Sequence, residues 1–111
     1  EKKTEDRIAF NAMYQTKHWK QLRQSQLSKQ PLCQACLSRG IVTQAKHIDH
    51  LFPWSWIGKD AFYRNLFQSL CHECHSHKTA LEQRNIIKYY YPIEHTFTIE
   101  DYSRVVFRLE T

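Results

Sequence analysis

The chain has 111 residues and a formal net charge of +5, with sixteen Lys and Arg against eleven Asp and Glu. A chain of this length is expected to form one domain that buries about two-thirds of its unfolded surface, stable but with little core to spare. The positive balance favours a polyanionic partner, although many soluble proteins are mildly basic. The absence of any run of eighteen apolar residues excludes a membrane-spanning helix, and two Gly and three Pro leave no flexible linker.

In chain order, Thr4-Glu5-Asp6 reads as a helix start, with a side-chain cap followed by acids at the positive end of the helix dipole. Thr16 can cap a second helix in which Trp19, Leu22 and Leu27 form an apolar stripe. Lys17, Lys20, Arg23 and Lys29 crowd its remaining surface, a pattern that suits a solvated face and DNA contact equally. Pro31 ends that helix, and Ser38-Arg39-Gly40 reads as a turn. The β-branched residues Ile41, Val42, Thr43 and Ile48 favour extended structure over 41–51, which sets Asp49 and His50 near a strand end. Residues 52–65, with Pro53, Trp54, Trp56, Gly58 and Asp60, lack periodicity and read as a structured loop. Residues 66–70 then form a second strand that pairs back on the first. Ala80, Leu81, Ile86, Ile87 and Tyr90 predict a helix over 72–90, ended by Pro92. Thr98-x-x-Asp101 resembles a cap, after which Ile99, Tyr102, Val106 and Leu109 share one face of a last helix, with a strand at 105–107 as the competing reading. The expected organisation is a single domain: N-terminal helices over 4–30, a core over 31–91 and a C-terminal extension over 92–111.

Cys33-x-x-Cys36 and Cys71-x-x-Cys74 bracket His47-Ile48-Asp49-His50, and the second pair runs straight into His75. Two such pairs supply the closed four-thiolate shell that Zn²⁺ prefers in structural sites, and they use every cysteine of the chain. Two disulfides, or four unrelated buried thiols, are the alternatives. Disulfides suit a small secreted chain, but no apolar signal segment stands at the N-terminus, although a start at Glu1 rather than Met leaves open a removed upstream piece.

Cys33-x-x-Cys36, Ala45-x-x-Ile48-Asp49-His50, Pro53, Asn65-Leu66 and Leu70-Cys71-x-x-Cys74-His75-x-x-Lys78-Thr79 resemble the zinc-containing branch of the HNH endonucleases. The resemblance begins at Tyr14-x-x-x-x-Trp19-Lys20-x-Leu22-Arg23 and runs to Thr79; it is to the small stand-alone enzymes of phage and bacterial genomes. It implies an α+β fold of the ββα-metal type, a structural zinc at Cys33, Cys36, Cys71 and Cys74, and metal-dependent cleavage of DNA. By position, His50 matches the catalytic base, Asn65 the central Asn, His75 the final His, and Asp49 the acidic metal ligand. It also implies a cytoplasmic setting in a bacterial or phage-infected cell, and a phage terminase as a possible partner for which no residue argues.

The chemistry accounts for these residue types. Hydrolysing a phosphodiester needs an activated water and a sink for charge on the phosphate oxygens. A neutral imidazole such as His50 accepts a proton near neutral pH. Asp49 offers a hard oxygen and His75 an imidazole to Mg²⁺, Mn²⁺ or a similar ion, leaving positions for water and phosphate. Asn65 can hold the loop and so orient His50, or touch the metal as in some relatives. Neighbours on a strand point to opposite faces, so Asp49 and His50 reach one phosphate only where the strand loses regularity. Cys74 and His75 diverge by about a quarter turn on a helix, so one can face zinc and the other the hairpin. His47, His72 and His77 are further imidazoles near the site, with His77 the best spare. Lys78, Arg23 and Lys46 are candidate phosphate contacts or ordinary surface cations. Trp54 and Trp56 suit packing over the hairpin better than insertion into DNA. A catalytically silent nucleic-acid-binding zinc module is the runner-up; it would have no use for Asp49, His50 and His75 together. A zinc-stapled protein-interaction adaptor would not need the positive charge either.

Overall fold

A computed structural model describes the backbone of residues 2–108 and the side chains of residues 7–107. Helix α1 (Lys2–Met13) and helix α2 (Lys17–Lys29) lead into a short α3 (Gln34–Ser38), strand β1 (His47–His50) and a short α4 (Trp54–Ile57). A 3₁₀ turn at Lys59–Phe62 precedes strand β2 (Phe67–Leu70), helix α5 (His72–Glu82), strands β3 (Ile87–Tyr89) and β4 (His95–Phe97), and, after a 3₁₀ turn at Ile99–Asp101, helix α6 (Tyr102–Arg108). No helix among the described residues is long and apolar enough to cross a membrane.

Helix α1 begins at Lys2, so Thr4 lies within it, and the cap expected of its side chain falls outside the described residues. Thr16 does cap α2: its hydroxyl accepts from Trp19 N at 3.1 Å, satisfying an amide that has no partner within the helix. That cap turns Trp19 into the core, with Leu22 and Leu27 packed beside it.

Strands β1 and β2 pair antiparallel, with His47 opposite Leu70, Asp49 opposite Gln68 and His50 opposite Phe67. The strand is shorter than its β-branched approach suggests. Ile41 and Val42 are exposed, having no core face to fill, and only Gln44 bridges to Leu32 before β1 begins. The segment between the strands folds into two helical turns whose Trp54, Ala61 and Phe62 are buried. With Ile48, Leu51, Phe52 and Trp19 they form the principal core, which also takes in Ile87, Tyr102 and Val106 from the C-terminal segment. Full burial of Phe52 and Phe62 is worth roughly 1.5–3 kcal/mol each.

The helix expected over 72–90 stops at Glu82. Asn85 takes a left-handed backbone (φ 57°), and Ile86 N bonds back to the Leu81 carbonyl, a local closure that ends the helix. The β-branched and aromatic residues beyond it then extend as β3 and pair with β4. Pro92 therefore lies in a hairpin loop and terminates no helix. Thr98 and Asp101 form the reciprocal capping box, and residues 105–107 are helical. Tyr102 and Val106 point inward, Ile99 packs beside them, and Leu109 lies outside the described residues.

Candidate active site

The two Cys-x-x-Cys turns converge. All four sulfurs lie within 4.8 Å of one another, and the Cys36 sulfur is 3.9 Å from that of Cys71 and 3.7 Å from that of Cys74. These cysteines are free, which removes the disulfide alternative. The separations match the edges of a tetrahedral shell with metal–sulfur bonds near 2.3 Å. Burial pushes the Cys74 thiol up to about 12 and Cys33 above its usual range, whereas a hydrogen bond with Thr43 lowers Cys36, so a cation is needed to hold Cys33 and Cys74 as thiolates. Arg39 Nη2 adds positive charge, 3.8 Å from the Cys36 sulfur and 3.7 Å from that of Cys74. The donor set fits zinc.

The first residues of α5 carry two allegiances. Cys74 joins the sulfur cluster, whereas His75 turns to the hairpin and brings Nε2 to 3.8 Å from Asp49 Oδ1. Asp49 is buried, and its other oxygen, Oδ2, is occupied by Lys78 Nζ at 2.9 Å and Gln68 Nε2 at 3.0 Å. One carboxylate oxygen is thus clamped and the other faces an imidazole. An oxygen and a nitrogen at that spacing, with room beside them, fit a divalent cation that keeps open positions.

His50 lies next to this pair. Its ring is stacked on Trp19, with centroids 5.2 Å apart and planes 8° from parallel, and is flanked by Phe62 and Phe67. Its Nε2 is the one buried side-chain nitrogen or oxygen with no hydrogen-bond partner among the described residues. A hydrogen bond to the Phe62 backbone opposes the effect of burial on the imidazole. Burial, reinforced by the charge of Lys78, lowers the imidazole to about 4, so it is neutral at physiological pH. Burial also lowers His75 and His47.

Asn65 closes the loop that carries His50. Its Oδ1 accepts from Phe52 N and Leu66 N at 3.1 and 3.0 Å, and its Nδ2 donates to the carbonyls of Phe52 and Ala61 at 2.9 and 2.8 Å. The side chain is saturated by backbone groups of residues 52, 61 and 66.

Asp49, His50 and His75 line one cavity of about 500 Å³, together with Tyr14, Trp19, Arg23, His47, Trp54, Trp56 and Thr79. Asp49 and His50 share it although they are neighbours in β1, because the strand ends at His50. Arg23 stands at the rim, where Nη2 donates to the Lys46 carbonyl at 2.8 Å; both side chains are exposed. Trp54 packs inward and donates to the Tyr14 hydroxyl at 2.9 Å, whereas Trp56 is exposed. His77 is exposed and does not line the cavity.

Lys78 is not a surface phosphate contact. It is fully buried, and its ammonium donates to the His50 and Leu51 carbonyls besides pairing with Asp49 and Glu82. Burial pushes the Glu82 carboxyl above its ordinary range against the opposing pull of Lys78. The Lys78–Glu82 spacing of one helical turn was the available sign of this pairing. Nothing in the pattern around Gln68 or Trp19 marked their contacts with Asp49 and His50.

A model of the HNH endonuclease family matches residues 33–81. Among solved structures, the HNH endonuclease of the deep-sea thermophilic bacteriophage GVE2, determined with a manganese ion, superposes with a TM-score of 0.59. The two sequences are 33% identical over 75% of this chain and 91% of that one. A comparison with curated proteins finds no match. The protein belongs to the HNH endonuclease family. It is therefore a nuclease, with an α+β fold of the ββα-metal type beside a four-cysteine cluster.

Proposed function

We propose that this nuclease hydrolyses DNA phosphodiester bonds with His50 as general base, Asp49 and His75 as ligands of a divalent ion such as Mg²⁺ or Mn²⁺, and a structural zinc at the four cysteines. The observation that carries the reading is the free, buried Nε2 of His50 beside the Asp49–His75 pair.

Each residue has a defined task. His50 accepts a proton from the attacking water at its unpartnered Nε2, its ring held by Trp19. Lys78 and Gln68 clamp Asp49 so that Oδ1 alone faces the cavity side of His75. Asn65 keeps the loop at the height that His50 requires. Arg23 and Lys46 offer positive charge to phosphates at the rim, in keeping with the net charge of +5. When bound, a divalent ion at Asp49 and His75 supplies Lewis-acid polarisation of the phosphate and a sink for charge on the departing oxygen.

Supercoiled plasmid incubated with the protein should be cut in Mg²⁺ or Mn²⁺ and left intact with excess chelator. His50→Ala should lose about 10²–10⁴-fold in rate while keeping the Mn²⁺ and DNA affinities of the parent at fixed salt. Asp49→Ala should bind Mn²⁺ more weakly and regain part of its rate in excess ion. If excess Mn²⁺ rescues His50→Ala and not Asp49→Ala, the two roles are reversed.

A further inference from the structure

His47 and His72 belong to neither the sulfur cluster nor the Asp49–His75 pair. His47 opens β1, opposite Leu70, and His72 is the first residue of α5, directly after Cys71. The Lys46 amide bonded to the Leu70 carbonyl at 3.0 Å ties the two elements together at this point. The side chains meet there, with His47 Nε2 3.2 Å from His72 Nδ1 and rings tilted by 41°. His72 is exposed, so the pair opens to solvent.

We propose that His47 and His72 form a second metal site, selective for borderline transition ions such as Ni²⁺, Zn²⁺ or Cu²⁺ over Mg²⁺ and Mn²⁺. Metal–imidazole bonds of about 2.0–2.1 Å place adjacent ligand nitrogens roughly 2.8–3.4 Å apart, depending on whether the shell is octahedral or tetrahedral. The observed 3.2 Å falls in that interval. Both nitrogens ride on anchored elements, so little ordering is required on binding. Two imidazoles with no carboxylate form a donor set that prefers ions late in the first transition series and holds hard ions poorly. Water, or a phosphate oxygen of a bound nucleic acid, completes the shell.

The location gives the site a consequence. The His75 ring stacks on that of His47, with centroids 4.7 Å apart and planes 11° from parallel. A dication at His47–His72 therefore stands one ring away from the ligands proposed for the catalytic ion, and its charge opposes loading there. Nickel or zinc at this pair should raise the Mn²⁺ concentration needed for cleavage. Only this regulatory consequence rests on the proposed catalytic role of Asp49 and His75; the binding site does not.

The test titrates Ni²⁺ into the full chain with its cysteine zinc in place and the Asp49–His75 pair held by a large excess of Mn²⁺, read by calorimetry and by the nickel d–d spectrum. The parent should bind one further Ni²⁺. His72→Ala, a change at an exposed residue outside the catalytic machinery, should bind it roughly ten-fold or more weakly while keeping its zinc content and its Mn²⁺-supported activity. Asp49→Ala should keep the nickel site. No further Ni²⁺ on the parent, or equal binding by His72→Ala, would mean that the imidazoles merely hydrogen-bond to each other, and the proposal falls. Loss in Asp49→Ala with retention in His72→Ala would assign the ion to the catalytic pair and overturn it equally.

Discussion

Trp19 lies flat against His50, its indole 5.2 Å from the imidazole and 8° from parallel. The contact joins α2 to the end of β1 and removes the imidazole from water. A free imidazole protonates below about pH 6.5, but in this setting burial lowers the group to about 4. The acid limb of the rate profile should therefore lie well below 6.5, measured as kcat/KM against pH at saturating Mn²⁺. Trp19→Leu should move that limb up toward 6.5, at a stability cost of roughly 2–4 kcal/mol. A parent limb at 6.5 would show that His50 is hydrated in the working enzyme.

The same shift couples folding to pH. The unfolded imidazole takes up a proton below about 6.5, whereas the folded one does so only near 4. The stabilising contribution is thus complete above 6.5 and is lost as pH falls through this window, by on the order of 3 kcal/mol in total. Urea unfolding at pH 7 and pH 4.5 should show the loss, and His50→Ala should reduce it.

Lys78 sits between two buried carboxylates, those of Asp49 and Glu82. Lys78→Met leaves both without their cation and should cost about 3–5 kcal/mol. The double variant Lys78→Met/Glu82→Gln should recover part of that loss, and a double-mutant cycle in urea measures the coupling. Weakened DNA binding with unchanged stability would return Lys78 to the surface.

Asn65→Ala unties two amides and two carbonyls at the base of the loop. The expected cost is roughly 2–4 kcal/mol, with a lower kcat and near-parental Mn²⁺ affinity in the folded protein. Collapse of Mn²⁺ affinity in a folded variant would instead make Asn65 a ligand.

The two metals should separate by exchange. After brief EDTA treatment, elemental analysis should find about one zinc per chain, with activity absent until Mg²⁺ or Mn²⁺ is restored. Cys71→Ser should lose zinc and much of the folded signal, whereas His75→Ala should keep both and bind Mn²⁺ weakly. Equal structural loss in the two variants would place His75 in the structural shell.

The readable parts of the sequence were those in which spacing dictates geometry. Cys-x-x-Cys turns, the Asp49-His50 step at a strand end and the Thr98–Asp101 capping box are local patterns whose outcome depends on few distant contacts. The end of α5 was less legible because its decisive residue is Asn85, whose left-handed backbone competes with good helix formers on its N-terminal side. Lys78 misled because a lysine on a polar helix reads as solvated, and only the fold brings Asp49 to meet it. The Trp19–His50 stack joins residues far apart in sequence, and no periodicity encodes such a contact.

Gln68 extends the site beyond the family-matched segment. While its Nε2 holds Asp49, the same carboxamide donates to the Lys88 carbonyl at 2.9 Å and accepts from Tyr90 N at 3.1 Å. The backbone of the β3–β4 hairpin thereby acts as a buttress for a carboxylate some forty residues upstream. A minimal chain trimmed to the matched residues would keep Asp49, His50 and His75, yet it would leave Asp49 leaning on a side chain with nothing behind it. Engineering boundaries drawn from motif coverage alone would cut through the scaffolding of the active centre.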